Sequence, residues 1–233
     1  MNIYVKIGAT CKGVEKMSKI EIVDYDVDKI YEFVRENIYS CRTAFTKVDN
    51  ARFHHNIDYK HVCSAMEYGI LSYNNQKKII ENRELTDDEK YIFGDYNHVN
   101  GVNCISLSTL DIDTTDILED EWLYDHKSTE SVDILISSDI KTYKNTINYF
   151  NEFLVDDIIH TDDFKAIDLR LLGLNQKEDG NEIKKLISKY NYLRDIASML
   201  YKKNLDIPLR ERSETDFNLD INKVKALPEL RVK

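Results

Sequence analysis

The sequence predicts an α+β fold, because strand-like runs occupy the middle of the chain while helical patterns lie in its first half and near its end. The segments 'SVDILIS' at 131–137 and 'FKAIDLRLL' at 164–172 are rich in apolar and β-branched residues, as strands are. A long amphipathic helix is expected at about 181–203. Seven apolar residues form its stripe: Ile183, Leu186, Ile187, Tyr190, Leu193, Ile196 and Leu200.

The first part of the chain alternates strand and helix patterns. Two β-like runs, 'NIYVKI' and 'SKIEIVDY', precede a helix expected at 26–38, where Asp26 and Asp28 suit a helix start. The run 'ARFHHNI' predicts a strand. A helix should follow from Asp58 and end at Gly69, because glycine can take the left-handed conformation that often caps the end of a helix.

The next segments mix helical and turn signals. Residues 74–93 are expected to be helical in two pieces, with Thr86 and Glu89 spaced as a capping box. The pair Asn100-Gly101 is a turn signal, and the strand candidate 'VNCISLS' follows it. Residues 111–130 are acidic and irregular, which favours an excursion at the surface.

The chain is expected to form a single domain over residues 1–233, with 51–172 as its core. On this interpretation, 1–50 is an N-terminal βα extension and 173–233 holds the C-terminal helix and a charged tail, whose order from residue 210 the sequence leaves open. Only 7 Gly and 2 Pro are present among 233 residues, which argues against long flexible linkers.

Composition and charge favour a cytoplasmic globular protein. Hydrophobic residues make up 42% of the chain, no apolar run approaches the roughly 18 residues of a membrane span, and the N-terminus lacks a signal-like apolar stretch. The formal charge of −10 disfavours broad adhesion to nucleic acid or anionic membrane. The four cysteines contain no CxxC pair, which indicates reduced thiols rather than a disulfide frame or a zinc site.

One carboxylate stands out inside a strand pattern. Alternation through the strand candidate 'INYFNEFLV' at 147–155 places Glu152 on one face, between Phe150 and Leu154. Partly burying a carboxylate costs several kcal/mol, by rough magnitudes, unless the group is paired or hydrogen-bonded. Either a structural ion pair or a functional role would explain the residue at this position.

Three segments carry chemistry in a recognisable order. The first, 'FHHNIDYKHVCSAMEYGILS', is a strand with histidines followed by a helix; the second, 'NGVNCISLST', is a strand that presents Ser106 and Ser108; the third contains Glu152. In order and spacing they resemble the three blocks of the ADP-ribosyltransferase superfold. The form 'NEFLV' is most similar to the bacterial DNA-modifying toxins of that superfold. The resemblance covers roughly residues 50–172.

The resemblance implies a split, strongly bent mixed β-core with flanking helices, which grips NAD in a cleft. It implies that His54 contacts the adenosine ribose or diphosphate side of NAD, and that Ser106 and Ser108 line the nicotinamide pocket. Glu152 would be catalytic, because it would hold the nicotinamide ribose and stabilise the positive charge that develops when nicotinamide leaves.

The segments combine features of two branches of the family. The histidine-type branch usually has tyrosine in the second block, whereas 'ISLST' looks like the Ser-Thr-Ser block of the arginine-type toxins. Arg52, which strand alternation places on the face of His54, or Arg42 is therefore an alternative first-block residue. Phe150 stands where arginine-directed enzymes often have Glu or Gln, so an acceptor hydroxyl or nucleobase fits better than a protein arginine.

Other functions stay open at this point. The family resemblance suggests a toxin or a phage or host-defence effector, with a macromolecular acceptor and a neutralising protein partner. The alternative is a non-catalytic acidic interaction protein, such as an inhibitor or antitoxin, for which the charge of −10 argues. A nucleic-acid-binding or nuclease-like domain is a third hypothesis, and the scattered His and Cys residues do not predict a metal site.

Overall fold

A computed structural model of the protein describes residues 19–22, 26–87, 103–110, 131–144, 152–169, 182–212 and 216–232. Its strands are β1 (Lys19–Ile22), β2 (Arg42–Thr43), β3 (Ala51–Asp58), β4 (Ile70–Leu71), β5 (Cys104–Thr109), β6 (Ser131–Ser137), β7 (Tyr143–Lys144), β8 (Glu152–Asp156), β9 (Ile158–Ile159), β10 (Phe164–Leu169), β11 (Leu209–Glu211), β12 (Phe217–Leu219) and β13 (Glu229–Val232). Its α-helices are α1 (Val27–Ser40), α2 (Tyr59–Tyr68), α3 (Tyr73–Asn75), α4 (Glu182–Lys203) and α5 (Ile221–Lys225). A π-helix covers Gln76–Ile80 and a 3-10 helix covers Thr161–Asp163.

The chain divides into two compact units. One comprises residues 47–168, and the other combines residues 1–46 with 169–233. This division neither confirms nor contradicts the expected single domain with a core at 51–172, which stays a prediction. Helices and strands both contribute to the described residues, which confirms the α+β class, whereas the ADP-ribosyltransferase type of core stays a prediction.

The unit at 47–168 is built on an antiparallel arrangement of strands. Six strands lie side by side in the order β10, β6, β3, β5, β8 and β7, and every neighbouring pair is antiparallel. The short strands β4 and β9 form a separate antiparallel pair. Because the side chains of a strand alternate between faces, each of the six strands has one set of residues on either side of the sheet.

Helix α2 covers one face of this sheet. Its buried residues include Val62, Ala65 and Met66, and it packs against β3 and β6. Apolar residues of the strands fill this face. Five of them are at most 1% exposed: Phe53, Leu107, Ile134, Ile136 and Ile167. Burial of this apolar surface is the main stabilising contribution to the unit.

Local sequence signals explain where α2 begins and ends. Asp58 is the N-cap, and its side chain accepts a hydrogen bond from the backbone N–H of Lys60. Gly69 ends the helix with φ +84° and ψ 177°, and its N–H donates to the carbonyl of Ala65. The expected helix from Asp58 to Gly69 is therefore confirmed, although the glycine is in an extended positive-φ conformation rather than the left-handed helical one.

In the other unit, helix α4 contributes more of the described buried apolar residues than any other element does. All seven residues of the predicted stripe are buried, which confirms the predicted amphipathic helix. Helix α4 packs against α5, β13 and α1. The buried guanidinium of Arg194 donates from Nε to the carbonyl oxygen of Leu227 over 2.7 Å, which ties the helix to the segment before β13. Helix α1 starts, as expected, at an Asp26 N-cap that accepts from the N–H of Lys29.

Two regions have structure that the sequence did not specify. The tail from residue 210, whose order the sequence left open, contributes to β11 and forms β12, α5 and β13, of which β13 pairs in parallel with β1. The first piece of the helix expected at 74–93 is an α-turn followed by the π-helix, and residues 88–93 of the second piece lie outside the described residues. Predictions for 'NIYVKI', Glu89, Asn100-Gly101, 111–130, 147–151 and 170–172 lie outside the described residues.

Among the described residues, none of the helices combines the length and the apolar character that crossing a membrane requires.

Candidate functional site

The register of three neighbouring strands aligns the residues of the three sequence segments. Strand β5 lies between β3 and β8, and His54 of β3 is directly opposite Ser108 of β5. Ser108 is in turn directly opposite Glu152 of β8. Directly opposed residues of antiparallel strands point to the same face. His54, Ser108 and Glu152 therefore form one line across the sheet, which we term the polar row.

Glu152 is held by a serine of the neighbouring strand. The hydroxyl of Ser106 donates a hydrogen bond to Oε1 of Glu152, and Ser106 shares the face of the row because it lies two residues from Ser108. On the other side of β8, Lys144 is opposite Phe153 and so lies on the opposite face of the sheet. The side chain of Glu152 is half-buried. Partial burial and a hydrogen-bond donor are the conditions that position a carboxylate.

His54 is oriented by a carboxylate that the sequence analysis did not single out. Its Nδ1 lies 3.5 Å from Oδ1 of Asp133 in β6, and its side chain is 24% exposed. Asn56 donates a hydrogen bond from Nδ2 to the same oxygen of Asp133 over 2.9 Å. Asn56 and Asp133 are directly opposite each other, so the two strands fix this contact. Asp133 thus extends the polar face by one strand beyond His54.

Asp133 has a signal that a reading of the sequence can detect. It is the only charged residue in the otherwise apolar strand 'SVDILIS', which is the same anomaly that drew attention to Glu152. Asp168 repeats the anomaly in 'FKAIDL', is fully buried, and lies directly opposite Asp133 on β10. Three in-strand carboxylates therefore share one face of the sheet.

The two arginine alternatives lie elsewhere. The guanidinium of Arg52 lies 5.2 Å from the ring centre of Phe53 and 5.7 Å from that of Phe153, whose rings belong to the opposite face. The strand pairing is irregular between Ala51 and Phe53, so simple alternation from Arg52 to His54 does not hold. Arg42 lies in the other unit, beside the rings of Tyr39 and Phe217. His54 is the first-segment residue that the structure places in the row.

His55 points to the opposite face, as alternation predicts. Its Nδ1 lies 2.9 Å from the carbonyl oxygen of Ser106. Burial lowers the pKa of His55, because it disfavours the charged imidazolium, and the Ser106 carbonyl offsets part of this effect. His55 also lines an open cleft of about 260 Å³ beside α2. We term it the α2 cleft; its polar lining residues are His55, His61, Ser64 and Gln76.

The polar row and the α2 cleft occupy opposite faces of one sheet. The row offers a carboxylate, hydroxyls and an imidazole, which can hold the hydroxyl groups of a ribose and stabilise a developing positive charge. The lining of the cleft combines aliphatic side chains and polar groups in similar proportion. No family model, curated protein or solved structure matches the chain.

Proposed function

We propose that the chain is a NAD-dependent mono-ADP-ribosyltransferase-like enzyme, which transfers ADP-ribose from NAD to a macromolecular acceptor. The polar row is the observation that carries this proposal. Its residues come from three segments far apart in the sequence, and the strand register places them on neighbouring strands in one line. The family resemblance assigns a function to the same three segments. The alignment of their residues in the row supports that assignment.

Glu152 is the proposed catalytic residue. In the reaction, the bond between the ribose C1′ and the nicotinamide nitrogen breaks, and its electron pair leaves with nicotinamide. The ribose then carries positive charge until the acceptor oxygen or nitrogen bonds to C1′ and releases its proton. A fixed carboxylate beside C1′ stabilises the transition state, in which C1′ carries positive charge, more than it stabilises the bound substrate. The Ser106 hydroxyl keeps the carboxylate in one orientation.

His54 and the serines are the proposed contacts to NAD as substrate. His54 is partly exposed, and its Nδ1 lies beside Asp133. Nε2 is therefore the ring nitrogen that would contact NAD. Ser108 lies between His54 and Glu152, where its hydroxyl can donate to or accept from the ribose or the nicotinamide carboxamide. Ser106 would line the nicotinamide side. Arg52 would contact NAD only if its guanidinium left the Phe53 and Phe153 rings.

The acceptor and the biological setting follow from the resemblance alone. A hydroxyl or nucleobase of a macromolecule is the proposed acceptor, and a toxin or a phage or host-defence effector is the proposed role. An enzyme of this kind would need a protein partner that neutralises it in the producing cell, and it would act in the cytoplasm.

A second candidate is a non-catalytic acidic interaction protein. The net charge of −10 favours it, because such a surface attracts a basic partner. In that case Glu152, Ser106 and His54 would only stabilise the sheet. The two candidates differ in one respect that is simple to measure, since only the enzyme releases nicotinamide from NAD.

The test of the proposed function is release of nicotinamide from labelled NAD. Replacing Glu152 with glutamine keeps the shape of the side chain and one acceptor oxygen, but it removes the negative charge. We expect Glu152→Gln to lower the rate at least about 100-fold, in line with the loss of one electrostatic contact to a transition state. Glu36→Gln, at an exposed position of α1, is the matched control and should leave the rate unchanged.

Equal activity of Glu152→Gln and the unmodified protein would show that Glu152 is not catalytic. Absence of nicotinamide release by the unmodified protein, across a panel of DNA, RNA and protein acceptors, would favour the acidic interaction protein. Circular dichroism of both variants would establish that any loss of activity occurs in folded protein.

A further inference from the structure

We propose that the α2 cleft is a binding site for a small, uncharged nitrogen heterocycle, which donates an N–H hydrogen bond to Nε2 of His55. The cleft lies on the face of the sheet opposite the polar row, because His54 and His55 are consecutive residues of one strand. It is therefore a site separate from the proposed NAD site, and it does not depend on the proposed function.

The size of the cleft limits its ligand. Its volume of about 260 Å³ lies just below the range of about 300–1,000 Å³ that is typical of small-molecule sites. At about 30 Å³ for each water molecule in the liquid, this space corresponds to roughly nine waters. One or two fused rings of that number of heavy atoms would fill it.

The lining favours an uncharged ring. Four aliphatic side chains contribute to the walls beside the polar groups: Ile57, Ile70, Leu71 and Ile80. Among the described residues that line the cleft, none is Lys, Arg, Asp or Glu, so a charged ligand would lose its hydration without gaining an opposite charge. An uncharged ring that has polar atoms at its edge matches this lining better than a phosphate or a carboxylate does.

The hydrogen bonding of His55 determines what the ligand must offer. Its Nδ1 contacts the Ser106 carbonyl, and because a carbonyl oxygen only accepts, Nδ1 carries the hydrogen. Burial keeps the ring neutral, since it lowers the pKa of His55. Nε2 is then an unprotonated acceptor. A ligand that lies against His55 should therefore donate an N–H.

Three further polar residues of the cleft can hydrogen-bond to other atoms of the ligand. Gln76 uses Nε2 to donate to the carbonyl of Leu71 over 3.1 Å, which leaves its amide oxygen as an acceptor. Ser64 and His61 line the same space, and their side chains make no hydrogen bond with any of the described residues. Gln76 and Ile80 both belong to the π-helix, a rare conformation that occurs frequently at functional sites.

A matched set of ligands tests the proposal directly. Benzimidazole has an N–H donor and nine heavy atoms; 1-methylbenzimidazole has the same rings without the donor; benzimidazole-5-carboxylate adds a charge. At pH 8 and millimolar concentration, we expect benzimidazole to raise the Tm by at least about 2 °C. The methylated and charged compounds should bind at least about tenfold more weakly and give smaller shifts.

Two variants and their controls locate the binding. His55→Asn keeps a donor for the Ser106 carbonyl but removes the acceptor nitrogen, and its control is His54→Asn on the opposite face. Ile80→Glu places a charge on the wall of the cleft at a position that is 49% exposed, so the fold should tolerate it. Its control is Ile79→Glu, which is 44% exposed on the same π-helix. The benzimidazole shift should disappear in the first member of each pair and persist in the second.

Three outcomes would overturn the proposal. They are no response to benzimidazole, an equal response to its methylated form, and an unchanged response in both His55→Asn and Ile80→Glu. A nitrogen-15 spectrum of the histidines gives an independent reading. It should show His55 protonated at Nδ1, with the Nε2 resonance moving when benzimidazole binds, whereas a protonated Nε2 would contradict the assigned tautomer.

Discussion

Ser106 contacts groups on both faces of the sheet, because its hydroxyl and its carbonyl take part in different hydrogen bonds. The hydroxyl donates to Glu152 on one face, and the carbonyl accepts from His55, which lies on the other. One residue of β5 thus positions the proposed catalytic carboxylate and fixes the tautomer of the cleft histidine.

The candidate residues differed in how readily the sequence indicates them. Glu152 is detectable because a carboxylate inside a strand pattern needs a partner, and the structure supplies Ser106. Asp133 has the same signal, although its role beside His54 depends on a strand pairing that the sequence does not contain. The position of Arg52 was not predictable, because a local irregularity in the strand pairing displaces it from simple alternation.

Protonation of His55 should destabilise the protein at acidic pH. Its pKa is lowered in the folded state, mainly by burial, so the unfolded state binds the proton more readily. The stabilisation is present above the unfolded pKa of about 6.5 and is lost as the pH falls through the folded pKa. The free energy of unfolding, measured by urea titration from pH 8 to pH 5, should therefore fall on this account.

The variant His55→Asn isolates that contribution. It should show a smaller fall in the free energy of unfolding over the same pH range, because it does not titrate. The charged and titratable groups near His55 are His54 on the same strand, Asp133 on β6 and His61 on α2, and they remain in the variant. The exposed His160 serves as control in His160→Asn. A pH dependence of His55→Asn as steep as that of the unmodified protein would exclude His55 as its source.

At the scale of single elements, signals that act within one turn were predictable. Asp26 and Asp58 cap their helices and Gly69 ends α2, because each of these effects depends on neighbouring backbone groups. The stripe of α4 was predictable for the same reason, since periodicity is a local property. The π-helix at Gln76–Ile80 was not, because its apolar and polar residues would suit an ordinary α-helix equally well.

Gly69 should be the most sensitive position at the end of α2. Its φ of +84° is strained for any residue with a Cβ, and a Cβ there would lie 2.5 Å from the carbonyl oxygen of Ile159. Backbone strain of this type costs about 1–3 kcal/mol, to which the steric clash adds. We expect Gly69→Ala to lower the free energy of unfolding by at least about 2 kcal/mol in urea titration.

Lys60→Ala provides the comparison for that variant. Lys60 is on the same helix and makes an exposed ion pair with Asp58, which contributes little to stability. Its loss should change the free energy of unfolding by no more than about 0.5 kcal/mol. If Gly69→Ala were as mild as Lys60→Ala, the close contact between Gly69 and Ile159 would not exist in solution.

At the scale of the whole molecule, strand pairing was the property that the sequence did not supply. The existence of β3, β5, β6 and β10 was predicted, but their order was not, because each pairing joins residues separated by long stretches of chain. The polar row exists only through that order. The division into two units was also not predicted, since residues 1–46 and 169–233 combine across the sequence of the other unit.

The net charge of −10 belongs to the molecule as a whole and bears on the choice between the two candidate functions. It weakens contact with a nucleic-acid acceptor, unless cations gather near the site, and it favours a basic protein partner. Charge alone therefore does not decide between an enzyme and an interaction protein. Binding of NAD does, because only the enzyme needs it.

Thermal unfolding with and without millimolar NAD, for the unmodified protein and Glu152→Ala, tests the central claim most directly. A ligand that binds only the folded state adds about 2.7 kcal/mol at one hundred times its Kd, which raises the Tm by several degrees. The proposed site predicts a clear rise for the unmodified protein and a smaller one for Glu152→Ala. No rise in either protein, or equal rises in both, would contradict the assignment of Glu152 and the polar row to NAD.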